Sequence, residues 1–259
     1  MTDSRNPELF HFCRMRNIKL IIEYDGAAYH GWQRQINRFQ TIQQIIEDKI
    51  EILTGQKATL FSSGRTDAGV HAINQVANFR TISQLPLRNI LLGLNSMLPY
   101  DIVIKSAEEV NPDFHSRYSA KSKVYLYQIL NSATRSGLYR NFSWFVSGKL
   151  QLDLMVEAAS YISGRHDFLC FCAANSETEG SEREVLDWSL KRDQDFIHFT
   201  IEATGFLKYM VRNIMGTLVY VGKGKLTPAD FKDILESKDR KLAGPTAPPQ
   251  GLFLKEVKY

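Results

Sequence analysis

The sequence predicts an α+β chain of two halves with the same order of elements, β-α-β-β-α-β, whose strands merge into one mainly antiparallel sheet. Three observations predict it. Short β-branched runs alternate with stretches whose apolar residues fall at helical spacing. Glycine, proline and capping residues punctuate those segments. The whole order then repeats from about residue 114.

In the first half, Ile18-Lys-Leu-Ile-Ile-Glu-Tyr24 is a β-branched run closed by the turn pair Asp25-Gly26. Thr41-Ile-Gln-Gln44 has the form of a capping box, and Ile42, Ile45, Ile46, Ile50 and Leu53 then line one helix face up to Gly55. Lys57 to Phe61 and Gln75 to Phe79 read as strands flanking a glycine-containing loop. Pro86 opens a second helix carrying Leu87, Ile90, Leu91 and Leu94, and Asp101 to Ala107 returns as a strand.

The second half follows suit. Val124 to Leu130 is a strand and Leu152 to Ile162 a helix ended by Gly164. Glu184 to Lys191 and Phe196 to Ala203 are strands around the polar turn Arg192-Asp-Gln-Asp195. A helix with Leu207, Met210, Val211, Ile214, Met215 and Leu218 on one face runs to about Gly222. Thr227-Pro-Ala-Asp230 caps a short extra helix, and Leu252 to Tyr259 closes as a strand. Asn175 to Arg183 and Gly244 to Gly251 read as loops. The repeated order is that of a duplicated ferredoxin-like unit. The expected division is an N-terminal extension over 1–16, one half over 17–113 and the other over 114–259.

Composition narrows the function. With 44% hydrophobic and 23% charged residues the chain is of ordinary globular make-up, which excludes disordered and collagen-like classes. No apolar run approaches the ~20 residues of a membrane span. Residues 1–8 lack the apolar core of a signal peptide, and three cysteines without a Cys-x-x-Cys suggest a reduced, cytoplasmic setting. The net charge is only +4, but the 36 residues from Phe114 to Lys149 hold six Lys or Arg, eight aromatics and no acid. A second acid-free run, Ala203 to Ala229, carries Lys208, Arg212, Lys223 and Lys225. Cations interleaved with aromatics suit a polyanion with stackable bases.

There is no phosphate-loop signature, nucleophile elbow or H-E-x-x-H, so nucleotide hydrolysis and serine-type acyl transfer lose their usual marks. His166, Asp167, Cys170 and Cys172 are the one metal-ligand grouping, yet the cysteine spacing is too narrow for a zinc finger and buried structural cysteines are the expectation. The informative segment is Ser62-Ser-Gly-Arg-Thr-Asp-Ala-Gly-Val-His-Ala72, in which two glycines bracket Asp67. Glycines let such a loop turn tightly and approach a ligand. A carboxylate held there beside cations is expected to stay ionised and exposed, as a nucleophile or base requires; the alternative is an aspartate that only bonds its own turn.

Gly64-Arg-Thr-Asp-Ala-Gly-Val-His71 resembles the catalytic motif of the TruA-type tRNA pseudouridine synthases. Glu23-Tyr-Asp-Gly26, Gly31-Trp-Gln-Arg-Gln35, Phe114-His-Ser-Arg-Tyr-Ser-Ala120, Tyr125 with Tyr127, Gly164-Arg-His-Asp-Phe168, Met210-Val-Arg-Asn213 with Gly216, and Pro249-Gln-Gly-Leu252 resemble further blocks of that family in the same order. The resemblance implies isomerisation of uridine to pseudouridine at positions 38, 39 and 40 of the tRNA anticodon stem-loop. It also implies no metal or other cofactor, a homodimer that grips tRNA, and two ferredoxin-like halves around a central basic cleft.

By the same resemblance Asp67 is the nucleophile, with base carbon 6 or ribose carbon 1′ as its target. Tyr125 stacks on the base and is a candidate general base, and Arg212 ion-pairs the aspartate. Arg65 is expected to replace or hold the flipped nucleotide, and Phe114, His115, Arg117 and Lys123 are further RNA-contact candidates. His71 and Trp32 read as structural. The sequence departs from the family at Ala27-Ala28, at Ser62-Ser63 before Gly64, and at Val124, where a basic residue is common. Rival readings are the same chemistry at another RNA site, a catalytically silent RNA-binding protein, and a hydrolase built on a metal at His166.

Overall fold

The computed structural model describes residues 14–36, 39–173 and 180–259. Most of the expected N-terminal extension and most of the loop expected over 175–183 lie outside the described residues. Ten strands and five α-helices follow one another as β1 (Arg16–Tyr24), α1 (Ile42–Thr54), β2 (Phe61–Ser62), β3 (His71–Thr81), α2 (Leu87–Met97), β4 (Ile102–Val110), β5 (Ser122–Leu130), β6 (Trp144–Phe145), α3 (Leu152–Ser160), β7 (Gly164–Asp167), β8 (Glu182–Asp193), β9 (Phe196–Ala203), α4 (Met210–Gly222), α5 (Pro228–Ser237) and β10 (Leu252–Lys258).

All ten strands form one sheet in the order β4-β1-β3-β10-β5-β9-β8-β7, with β2 on β3 and β6 on β5. The last strand is the stitch. β10 pairs parallel with β3 and antiparallel with β5, so the N-terminal and C-terminal strands become one surface. Register then fixes a row across that surface: Tyr24 opposite Ala72, Ala72 opposite Leu254, Leu254 opposite Tyr125, and Tyr125 opposite Ile201. Paired residues project to the same side of a sheet, and all five are buried. Along β1 the alternation is clean: Ile18, Leu20, Ile22 and Tyr24 are buried, whereas Glu23 is exposed.

The helices form where apolar residues recur at i and i+4. Ile42, Ile46 and Ile50 are the buried stripe of α1, which ends at Gly55 with φ +71°. Ile90 and Leu94 anchor α2. α4 is buried on nearly every side and is the central helix of the second part. Thr227 and Asp230 bond each other's backbone in a true capping box at the start of α5. Among the described residues no helix is long and apolar enough to cross a membrane.

Several expectations need correction. The strand expected over Lys57 to Phe61 shrinks to Phe61–Ser62, because the Leu60 amide donates to Glu47 Oε1 (2.9 Å) on α1 and is lost to a ladder. Thr41 precedes α1 but makes no capping bond, and its hydroxyl is buried without a partner among the described residues. Gln43, one residue short of the expected box, does the local work by accepting from the Arg34 amide (3.0 Å) and donating to Glu47 and to the Leu60 carbonyl. The β8–β9 turn is tighter than expected, with Gln194 at φ +51°. Cys170 is buried in a 3-10 turn over Leu169–Phe171.

Candidate active site

Asp67 lies on the loop between β2 and β3, and that loop is held from several directions. Ser63, at the position where the sequence departs from the family, is buried and donates to Gln75 Oε1 (2.7 Å), while Gln75 Nε2 returns to the Gly64 carbonyl (2.8 Å). The hydroxyls of Tyr24 and Thr66 share a hydrogen bond at 2.8 Å. The Trp32 amide donates to the Thr66 carbonyl (3.0 Å), and the Val70 amide closes the turn onto the Asp67 carbonyl (3.1 Å). Gly26 has no room for a side chain, since a Cβ there would stand 2.0 Å from the Val70 carbonyl oxygen. Gly69, at φ +76°, lies against Pro249. Trp32 is buried, as expected of a core residue.

His71 ends the motif as a structural residue. Its Nδ1 accepts from the Gly26 amide (3.0 Å), which leaves Nε2–H to donate to the Asn141 carbonyl (2.7 Å). Burial holds its pKa below the ordinary histidine value against the pull of Asp25, whose Oδ1 lies 3.0 Å from Nδ1, and the ring keys these segments together.

Arg212, from the first turn of α4, reaches Asp67 with Nη1 3.5 Å from Oδ2. Its guanidinium is set by other contacts: Nε donates to the Ala247 carbonyl (2.8 Å), and the Tyr209 ring lies 4.7 Å from the guanidinium carbon. The carbonyl is itself held in place. Asn213 Oδ1 accepts from Arg240 and Thr246, Thr217 accepts from the Gly244 amide, and Gly216 lets Pro245 pass so close that a Cβ would meet its oxygen at 1.6 Å. The block Met210-Val-Arg-Asn213 with Gly216 is thus one device for aiming a guanidinium.

Tyr125 completes the group. Its ring meets Phe206 edge-on at 4.9 Å. Burial, with Tyr24 and Asp67 nearby, pushes its phenol well above the usual range, so at neutral pH it offers a neutral hydroxyl and a ring edge. A general base is the phenolate, the form that this burial disfavours. Neighbouring Tyr127 is committed elsewhere, donating to the Pro248 carbonyl (2.7 Å). Asp67 differs from expectation: its side chain is only 25% exposed, and burial raises its pKa against the opposing pull of Arg212 and Lys208. The carboxyl is a more basic group than a solvated aspartate.

Among the remaining candidates, Arg65 is exposed on the Asp67 loop, without an ion pair among the described residues. His115 packs on Phe61 (5.1 Å) and Tyr118 (4.4 Å) beside the start of that loop. Lys123 lies against Gly64. Phe114 goes elsewhere, between Tyr259 (5.1 Å) and Lys19 (5.9 Å), on the side of β1 opposite Tyr24. Sequence reasoning did not single out Ser63, Gln75 or Tyr24 as supports. Nothing in their composition marks them, because their roles exist only once β3 pairs with β1 and with β2. The would-be metal ligands are dispersed: His166 bonds the Ser163 carbonyl, Asp167 pairs with Lys238 (3.0 Å), and burial pushes the Cys170 thiol up to about 12. Among the described residues no three His, Cys, Asp or Glu side chains are grouped to hold a metal.

The sequence profile of the family described as tRNA pseudouridine synthase matches residues 20–119 and 158–259. The chain is 47% identical over 245 residues to tRNA pseudouridine synthase A of Thermoanaerobacter sp. (strain X514), covering 95% of this chain and all of the relative. It is 51% identical to the protein of that name from Acetivibrio thermocellus and 45% identical to tRNA pseudouridine synthase A 2 of Clostridium perfringens, with the same coverage. The chain belongs to the tRNA pseudouridine synthases, a family of isomerases.

Proposed function

We propose that this protein isomerises uridine to pseudouridine in tRNA, at positions 38, 39 and 40 of the anticodon stem-loop, with Asp67 as nucleophile on a nucleotide flipped out of its stack. The observation that carries the reading is the convergence of Asp67, Tyr125 and Arg212, from a loop, a strand and a helix far apart in sequence, at one half-buried point. The reaction breaks the bond between ribose carbon 1′ and base nitrogen 1 and forms one to base carbon 5. The proton on carbon 5 is lost and one is gained at nitrogen 1, so no oxidant or reductant is consumed. A raised carboxyl pKa favours such a role, since basicity and nucleophilicity rise together. The Tyr125 ring supplies the surface for a base that has left its neighbours, and extrusion costs a few kcal/mol.

The two parts of the chain, 17–113 and 114–259, act in this reading as duplicated ferredoxin-like halves whose seam is a basic cleft for RNA. A cytoplasmic homodimer is the working assembly, each copy contributing to the grip on one tRNA. The test is pseudouridine mapping at single-nucleotide resolution on unmodified tRNA, with wild type and Asp67→Asn in parallel. Conversion at 38 to 40 by the wild type alone supports the reading. Conversion elsewhere keeps the chemistry and moves the site. Binding without conversion overturns the enzyme.

A further inference from the structure

The cations near the Asp67 loop and Tyr125 are unevenly matched. Arg212 has a carboxylate and a carbonyl, but Lys123, Arg117 and Arg183 form no ion pair among the described residues. Register puts two of the three on the side of the sheet that carries Tyr125. Lys123 stands opposite Ala203 on β9, and Ala203 stands opposite Val185 on β8. Arg183 lies two residues before Val185 and Tyr125 two after Lys123, so all share that side.

Two glycines mark where these side chains lie. A Cβ on Gly64, three residues before Asp67, would stand 3.4 Å from Lys123 Cε and 3.8 Å from its Nζ. A Cβ on Gly205 would stand 3.4 Å from both Cδ and Nε of Arg183, and Gly205 precedes Phe206, the ring packed on Tyr125. Arg117 comes from the segment whose His115 packs on Phe61, at the root of the Asp67 loop. The ammonium of Lys123 is mostly removed from water, and burial together with the charges of Arg117 and Arg183 lowers its pKa. A desolvated cation beside two like charges is unfavourable unless an anion arrives.

We propose that Lys123, Arg183 and Arg117 form a pocket for one RNA phosphodiester, the linkage adjoining the nucleotide whose base enters beside Tyr125 and Asp67. The proposal rests on the RNA substrate of the preceding section. The pocket lies at the Gly64 end of the catalytic loop, whereas Arg212 holds Asp67 from the side of α4. Attraction at that phosphate is remote from the reacting bonds and offsets the cost of extruding the base.

The test measures binding of an anticodon stem-loop RNA to Asp67→Asn protein, so that turnover does not intrude, with uncharged methylphosphonate linkages placed singly along the loop. One linkage next to the target uridine is expected to weaken binding about tenfold with Lys123 present and less than about twofold in the Lys123→Met protein. Lys123→Met is also expected to reduce the log–log salt slope by about 0.7 to 0.9, one phosphate contact. Lys123→Arg restores the tenfold sensitivity, and Arg183→Gln lowers it. Equal losses at that linkage in both proteins, or an unchanged salt slope in Lys123→Met, overturn the pocket. Turnover of the unmodified stem-loop by wild type is scored separately, so a lost pocket with intact conversion leaves the reaction standing. Absent conversion counts against the reaction and not against the binding result.

Discussion

Arg212 touches Asp67 with a single nitrogen at 3.5 Å, while its Nε is bound at 2.8 Å to the Ala247 carbonyl. The arginine is therefore fixed by the backbone behind it and not by the carboxylate in front. A short bidentate pair would hold the carboxylate ionised and also quench it. A long single contact leaves burial in control, and Asp67 carries a raised pKa beside a guanidinium.

The acid limb of the rate follows from that balance. In the proposed reaction Asp67 attacks as the carboxylate, so the single-turnover rate is expected to fall on acidification with an apparent pKa above the usual aspartate range. Arg212 lowers the Asp67 pKa, and its removal raises it. Arg212→Met is expected to move the limb to higher pH by about one unit, and Arg212→Lys to return part of that shift. Rates from about pH 4 to 8 decide it. An unmoved limb would show that Arg212 does not set the charge on Asp67.

Tyr125 separates ring from hydroxyl. No described residue takes its hydroxyl as a hydrogen-bond partner, so Tyr125→Phe leaves the packing on Phe206 intact and the fold unchanged. If the neutral phenol moves a proton, turnover falls by about 10²-fold with little change in tRNA affinity. Because burial holds the phenol un-ionised, the wild type is expected to show no alkaline limb from this residue below about pH 10. Turnover of Tyr125→Phe at the wild-type level would confine Tyr125 to stacking.

Most strands and all five helices were legible because their apolar spacing is a local property. Ile42, Ile46 and Ile50 announce α1 without knowledge of what covers it. The misses share a different cause. Thr41 has the letters of a capping box, but tertiary packing buries its hydroxyl and gives the local bonds to Gln43. Leu60 reads as strand until Glu47 takes its amide. At the site, Asp67 and Arg212 carry types that advertise chemistry, whereas Gln75 and Ser63 acquire their roles only from the β2–β3 pairing. Phe114 is an RNA-contact candidate through the resemblance alone, and the structure seats its ring between Tyr259 and Lys19.

Gly216 tests the device that aims Arg212. Its Cα faces the Pro245 carbonyl, where even a methyl group has no room, and the obstacle is backbone that cannot rotate aside. Gly216→Ala must therefore push the 240–247 segment away from α4, breaking the Gly244 amide bond to Thr217 and shifting the Ala247 carbonyl from Arg212. A loss of about 3 kcal/mol in denaturant unfolding is expected, despite the better helix propensity of alanine. Turnover is expected to fall in the fraction that remains folded. A variant as stable as wild type would mean that the close approach is not maintained in solution.

Asp67→Asn links stability to function at the same point. The folded protein raises the pKa of Asp67 above its unfolded value, so it binds that proton more tightly than the unfolded chain. The associated stability is present at acid pH and is lost as pH rises through the folded pKa. At neutral pH the ionised carboxylate is a partly desolvated charge, a cost that the proposed reaction would account for. Asparagine removes the charge and keeps the shape, and Arg212 retains its bond to Ala247. The variant is expected to melt at or above the wild-type temperature at pH 7, by up to about 4 °C, with the difference vanishing near pH 4. Its tRNA affinity should be retained while turnover drops on the order of 10³-fold or more. A variant that melts well below wild type at pH 7 would instead make Asp67 a structural anchor of its loop, with lost turnover a consequence of lost fold.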